Sequence, residues 1–257
     1  MNLNTEFGYL HDRADSLTGA IPLDAGSTAT LLTELIQSSA KKILAFDLDS
    51  TLLNNRPRNA VIMREFGDDQ KQPLLCTATA EHFQDWSARN AMAAIGLANR
   101  DIDRLVDTYR SFWLDRFFTS EYCQYDVCVP GAAEFVNDVY AGDGTVCYLT
   151  GRHEGMRKGT EDSLAKLGFP VPGADRVELL MKPHQDQSDD LFKVDTLQKL
   201  DTLGSVFAAF DNEPTHINSY RKAFPRAVCI HLLTDHSMRA VKLSDEIVSI
   251  LDFVRFQ

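Results

Sequence analysis

The sequence predicts an α/β fold: a mainly parallel β-sheet with helices on both faces, together with a separate all-helical region. Three observations predict it. Short apolar runs recur along the chain without polar alternation, the pattern of strands buried on both faces. Amphipathic stretches lie between them, and strand–helix alternation of this kind builds parallel sheets. Between the first run and the second lies a long region whose apolar residues recur only at helical spacing.

In chain order, Leu31, Leu32, Leu35 and Ile36 fall at helical spacing within residues 27–39, with Ser27 as a candidate N-cap, so a leader helix precedes the sheet. Ile43-Leu44-Ala45-Phe46 is the first strand. Residues 54–128 then contain no convincing buried strand. Phe83 and Trp86, and later Tyr109, Phe112, Trp113 and Phe117, recur three and four apart, which predicts an α-helical cap with the aromatic stripe as its core. The sheet resumes with strands over 145–149, 177–181, 206–210 and 227–233, and with helices over 132–140, 156–167, 194–203 and 214–224. Pro214 just inside its helix and Gly204 just past the preceding one are the expected punctuation. The predicted organisation is a core of residues 1–53 and 129–257, in which 1–40 is a leader with one helix, and a helical cap domain over 54–128.

A chain of 257 residues suffices for one large domain or for a core with a smaller insert. With 44% hydrophobic and 25% charged residues it is not a disordered chain. Its formal charge of −11 makes it a poor candidate for nonspecific, phosphate-driven nucleic-acid binding. The predicted cap carries nine basic and eleven acidic residues, so most of the acidity belongs to the core. No apolar run reaches membrane-spanning length, and the start lacks the basic patch and apolar run of a secretory signal. The expectation is a cytoplasmic protein without a membrane partner. The five cysteines are odd in number and form no C-x-x-C pair, so they read as buried free thiols. Neither H-E-x-x-H nor G-x-x-x-x-G-K-[ST] occurs, which disfavours a zinc protease and a P-loop hydrolase.

In a parallel α/β sheet, ligands bind at the carboxyl ends of the strands. The first run is followed by Asp47-Leu48-Asp49-Ser50-Thr51, the second by Thr150-Gly151-Arg152 and the fourth by Asp211-Asn212-Glu213. Asp47 and Asp49 are two apart and project to one side of an extended backbone. Like charges that close are costly without a cation between them or a shared proton. Asp211, arriving from another strand end, adds to the case for a metal. An all-oxygen site with few ligands suits Mg²⁺. The alternative for a single D-x-D is a solvated turn.

This arrangement resembles the haloacid dehalogenase superfamily of phosphohydrolases, whose core is Rossmann-like. The family's D-x-D-x-T is matched by Asp47, Asp49 and Thr51, its strand-end Ser or Thr by Thr150, and its acidic strand end by Asp211. Val129-Pro130-Gly131-Ala132, leading into a helix, is also typical. The match spans roughly residues 41–235, with the helical region where the family carries a cap. The resemblance implies Asp47 as nucleophile and Asp49 as the acid that protonates the leaving oxygen and then activates water. A Tyr in place of Asp49 would point to dehalogenation; Asp argues for phosphoryl transfer. Thr51, Thr150, Gly151 and Lys193 are the implied phosphate-binding residues. Mg²⁺ is the implied cofactor, held by Asp47, the main-chain carbonyl of Asp49, and Asp211. The implied substrate is a phosphorylated small molecule, cleaved as a phosphate monoester.

Several positions stay open at this level. The family's lysine is Lys182 or Lys193; its usual place, at the start of the helix before the fourth strand, favours Lys193, with Asp189 as partner. Asn212 stands where a second acid is common, which implies weaker Mg²⁺ binding, with Glu213 in reserve. Arg152 is a candidate substrate-binding residue with His153 beside it; a surface salt bridge is the alternative. Arg56, Arg58, Arg100, Arg104, Arg110 and Arg116 in the cap either recognise an anionic group or face water. A phosphomutase would carry the same core motifs. A phosphoacceptor module of the receiver type, or a binding protein without catalysis, are the readings from another class, and Asp49 with the helical insert argues against the phosphoacceptor module.

Overall fold

The computed structural model describes residues 17–237 and 239–255. In chain order the elements are β1 (Leu17–Thr18), α1 (Ala25–Ser38), β2 (Ile43–Phe46), β3 (Leu53–Asn54), α2 (Arg56–Asp69), α3 (Ala88–Ile95), α4 (Asn99–Phe117), β4 (Val127–Cys128) and α5 (Ala132–Ala141). They continue as β5 (Thr145–His153), α6 (Arg157–Lys166), β6 (Val177–Lys182), α7 (Asp189–Leu203), β7 (Val206–Asp211), α8 (Pro214–Ala223), β8 (Val228–Leu232), β9 (Val241–Lys242) and β10 (Val248–Ile250). Six strands form one sheet in the order β10-β8-β7-β2-β5-β6, and every neighbouring pair is parallel.

The lack of polar alternation in the strands has a direct cause. Leu44 and Phe46 of β2 enter one apolar core, and Ile43 and Ala45 enter another on the opposite face. On the first face, beneath α1, α5 and α6, Phe46 stacks on Phe210 at 4.9 Å and meets Phe135 edge-on at 6.2 Å. On the second, Leu200 of α7 and Ile217 and Tyr220 of α8 cover the sheet. Each such fully buried side chain contributes about 1.5–3 kcal/mol of transfer free energy.

Several boundaries differ from those the sequence predicts. Helix α1 begins before Ser27, because Asp24 is the cap and accepts from the Ser27 amide at 2.9 Å. Helix α7 begins at Asp189 rather than 194, capped by Ser188, which places Lys193 inside the helix. Strand β5 runs on to His153 with a register shift after Thr150, so Thr150, Gly151 and Arg152 lie in its irregular last part and not beyond its end. The edge strand β10 and the short pairs β1–β9 and β3–β4 carry too few residues for periodicity to reveal them.

The chain between β3 and β4 is helical and packs a core of its own. Phe66, Met92, Ile102, Leu105, Tyr109 and Phe117 are all buried there, and Trp113 stacks on Phe117 at 4.4 Å. Gly96 ends α3 in the left-handed conformation at φ 104°, as a C-terminal glycine does. At the root of this insert β3 and β4 pair antiparallel, Leu53 opposite Cys128 and Asn54 opposite Val127. All five cysteines are free; Cys123, Cys147 and Cys229 are buried, but Cys76 and Cys128 are partly exposed, which corrects the expectation that all are buried. Among the described residues no helix is long and apolar enough to cross a membrane.

Candidate active site

The central strand β2 delivers Asp47 to the carboxyl edge of the sheet, where its amide continues the ladder by donating to the Phe210 carbonyl at 3.0 Å. Neighbouring β7 ends in Asp211. Lys193 comes in from α7, and its ammonium donates to Asp47 Oδ1 at 2.6 Å and to Asp211 Oδ2 at 2.7 Å. All three side chains are buried. A lysine so buried is tolerated because two carboxylates answer it. Burial pushes the Asp47 carboxyl up to about 7, with Asp211 and Asp49 adding to the rise against the opposing pull of Lys193. Burial also acts to raise Asp211, but Lys193 and His216 outweigh it and hold that carboxyl well below its usual range.

Of the two lysines left open by sequence, only Lys193 joins the carboxylates. Lys182, also buried, pairs with Asp189 at 2.6 Å and donates to the carbonyls of Gln185 and Gln187 at 3.1 and 3.0 Å, so it ties down the loop entering α7. The expected partnership of Asp189 with Lys193 is therefore corrected. Helical geometry explains the difference: Asp189 occupies the first turn of α7 and faces back toward the end of β6.

Asp49 sits in a contrasting environment. Its turn closes on the Leu48 carbonyl, which accepts from the amides of Thr51, Leu52 and Leu53 at 3.1, 3.0 and 2.8 Å. Ser50 takes a left-handed φ of 61°, a sparsely populated conformation for a residue with a side chain. The Asp49 carboxylate accepts from Arg152 Nε at 2.9 Å, from Arg152 Nη2 at 2.6 Å and from Asn55 Nδ2 at 2.8 Å. Burial acts to raise its pKa, yet Arg152 and, further off, Arg58 outweigh that and bring it down to about 2. Arg152 is 1% exposed. It is therefore no surface salt bridge; its guanidinium is engaged by Asp49, Asp126 and Thr160. His153 points away, its Nε2 lying 3.1 Å from the Phe118 carbonyl.

Around this centre, Thr51 is fully buried; its hydroxyl donates to Asn212 Oδ1 at 3.1 Å and accepts from the Asn212 amide at 3.0 Å. It holds the loop after β7. The Thr150 hydroxyl accepts from the Arg152 amide at 3.2 Å. Gly151 lies against the Asp189 carboxylate, whose Oδ2 would be 2.8 Å from a Cβ placed there. Glu213 is spent on Ser237, accepting from its amide at 2.9 Å, and on Arg239 at 3.1 Å, so it is no reserve metal ligand. Asn212 also donates to the Asp235 carbonyl. Of the insert arginines, Arg58 is buried, Arg56 forks onto Asp235 at 2.7–2.8 Å, Arg116 packs on Phe112, and Arg100, Arg104 and Arg110 are exposed.

Among the described residues no three His, Cys, Asp or Glu side chains converge as a metal cage. The donors at this edge are two carboxylates, Asp47 and Asp211, and the backbone beside Asp49. That set fits Mg²⁺, which keeps several waters and takes one or two protein carboxylates plus substrate oxygens. Asn55, Arg58 and Asp126 are the residues of this site whose place sequence reasoning missed. Asn55 and Asp126 fall in no motif, and Arg58 reads like any other insert arginine; only their burial marks them.

No family model matches the chain, and no curated protein matches it. Solved structures do. A Clostridium difficile protein described as a phosphatase superposes with a TM-score of 0.50 at 10% identity, covering 83% of this chain and 95% of that one. Protein tyrosine kinase A of Mycobacterium tuberculosis gives 0.50 at 15% identity, covering 82% and 93%. A haloacid dehalogenase-like family hydrolase of Streptococcus pneumoniae gives 0.46 at 12% identity, covering 83% and 94%. At these identities the likeness is one of fold.

Proposed function

We propose that this chain, which has the haloacid dehalogenase-like fold, is a Mg²⁺-dependent phosphohydrolase that cleaves a small-molecule phosphate monoester through an aspartyl-phosphate on Asp47. One observation carries the reading: the Lys193 ammonium lies between Asp47 and Asp211 at 2.6 and 2.7 Å, at the edge of the sheet where ligands bind. A nucleophile, a cation for the phosphoryl oxygens and a second carboxylate for metal binding thus meet at one point.

In the first half-reaction a carboxylate oxygen of Asp47 forms a bond to phosphorus as the ester oxygen departs. Asp49 gives that oxygen its proton. Asp49 is a carboxylate in the free protein, pulled down by Arg152. The arriving phosphoryl dianion offsets the guanidinium's field and brings the carboxyl's proton affinity up, so Asp49 takes up a proton from solvent as substrate binds and returns it to solvent once phosphate has left. Lys193, the Thr150 hydroxyl and the Gly151 amide hold the oxygens over which charge spreads. In the second half-reaction Asp49 takes a proton from the attacking water, the bond from phosphorus to Asp47 breaks, and phosphate leaves; Asp49 has regained the proton it gave. Asp47, the Asp49 carbonyl and Asp211 would hold Mg²⁺, which would supply the positive charge that lets one anion approach another. The insert over residues 54–128 serves as the cap that excludes bulk water and selects the substrate. The proposed setting is the cytoplasm, with no membrane and no nonspecific nucleic-acid partner.

Hydrolysis of p-nitrophenyl phosphate tests the reading. Turnover should require Mg²⁺, stop with EDTA and vanish in Asp47→Asn. Activity that survives both treatments overturns it.

A further inference from the structure

Asp49, Arg152, Asp126 and Asn55 form a closed ring of hydrogen bonds across the root of the insert. Arg152 Nη2 donates to Asp49 Oδ1 and to Asp126 Oδ2, each at 2.6 Å. Asn55 Nδ2 donates to Asp49 Oδ1 at 2.8 Å and to Asp126 Oδ1 at 2.9 Å. The remaining Arg152 nitrogens are also engaged, Nε with Asp49 at 2.9 Å and Nη1 with the Thr160 hydroxyl of α6 at 3.2 Å. Arg58 extends the ring: it grips Asp126 through Nε at 2.9 Å and through Nη2, and reaches the Phe117 carbonyl at the end of α4 at 3.0 Å.

The placement of these residues gives the ring its meaning. Arg152 belongs to the core strand β5. Asn55 is where the chain enters the insert, directly after β3, and Asp126 is where it leaves, directly before β4. Arg58, Arg152, Asp126 and Asn55 are at most 3% exposed. If stability alone were required, apolar residues of similar volume would serve as well at lower desolvation cost. A guanidinium fork does what apolar packing cannot: it fixes the plane and direction of a carboxylate.

We propose that Arg152 is a positioning residue that clamps the acid–base carboxylate of Asp49 to both chain crossings of the insert, so that Asp49 is aimed at the reaction centre only while the root of the insert is seated. The inference rests on the hydrolase reading above and deepens it: the insert governs the proton-transfer group, and not only access of substrate. Arg152→Lys keeps the charge and loses the fork. An activated aryl ester needs little help from an acid, whereas an alkyl ester and the water step depend on one.

Rapid-mixing kinetics of Arg152→Lys test the clamp. With p-nitrophenyl phosphate the variant should keep a burst of about one equivalent of nitrophenolate and then turn over about 10²-fold more slowly. With glycerol phosphate, phosphoenzyme formation itself should fall by a similar factor. A crystal structure of the variant should show the Asp49 carboxylate turned from its present place. Asp126→Asn should repeat the pattern, and it carries the test if Arg152→Lys does not fold. Unchanged kinetics, or equal losses in both steps for both substrates, overturn the clamp. A wild-type protein without Asp47-dependent turnover overturns the hydrolase reading and this inference with it; the clamp alone fails when the wild type is active and the variant shows no dependence on leaving group.

Discussion

Two carboxylates two residues apart are driven in opposite directions by what faces them. Asp47 is buried beside Asp211 and lifted to about 7, whereas Asp49 is forked by Arg152 and lowered to about 2. Their partners, and not their chemistry, set these otherwise identical side chains apart. Lys193 is what makes the first environment tenable. Lys193→Ala leaves Asp47 and Asp211 buried without their shared counter-charge, which should cost about 3–5 kcal/mol in the absence of divalent cation. Added Mg²⁺ should restore part of it. Turnover should fall about 10³-fold, the loss expected on removing a principal donor to the transition-state oxygens. Lys182→Ala removes only a loop anchor and should leave turnover within a few-fold. Thermal unfolding with and without Mg²⁺, alongside phosphate release, checks both; equal kinetic losses would assign Lys182 a role at the centre that its contacts do not support.

At the scale of the element, strand β8 carries a buried ionisable group into the core. His231 is fully buried, its Nε2 2.9 Å from the Asn212 carbonyl, and burial with the neighbouring His236 pushes its pKa down to about 4. The unfolded chain, with a histidine near 6.5, binds more protons than the folded one between these values. Stability is therefore present above pH 6.5 and lost as pH falls toward 4, by on the order of 3 kcal/mol. Asp47 works in the opposite sense over much of the same range. Its folded pKa lies above the unfolded one, so its contribution declines as pH rises toward 7. The decisive quantity is therefore the difference between wild type and His231→Gln in urea unfolding from pH 4.5 to 7. That difference should shrink as pH falls, and a pH-independent difference would mean that His231 titrates in the folded protein as it does in the unfolded chain.

On the scale of the whole molecule, two faces of one sheet and a helical core are joined by short strands, by a polar ring and by a narrow apolar contact through Phe118 and Cys123. Both tryptophans, Trp86 and Trp113, belong to the insert, so their fluorescence reports that part alone. Phe66→Ala, at the centre of the insert core against Tyr109 and Phe112, should cost about 3–5 kcal/mol locally. The fluorescence midpoint in denaturant should then fall well below the midpoint by far-ultraviolet circular dichroism, because units with separate cores need not unfold together. Coincident transitions in the variant would mean that the polar root couples the two cores into one cooperative unit.

The parallel sheet, its helices and the motif residues at its carboxyl edge were legible in the chain because each is a local signal. A strand buried on both faces must be apolar throughout, and carboxylates that follow such strands must gather at one edge. Asp47, Asp49, Thr150 and Asp211 could be named on that ground. The short strands, the Asp24 cap and the early start of α7 were not legible, since two- or three-residue ladders and single capping bonds leave no periodic trace. Sequence favoured Lys193 over Lys182 only through the resemblance, and it could not tell that Lys193 bridges two carboxylates, that Thr51 turns to Asn212, or that Arg152 is sealed against Asp49 and Asp126. Those assignments depend on contacts between residues up to 161 positions apart. Which charges lose their water and which partners then answer them is decided only by the packed chain.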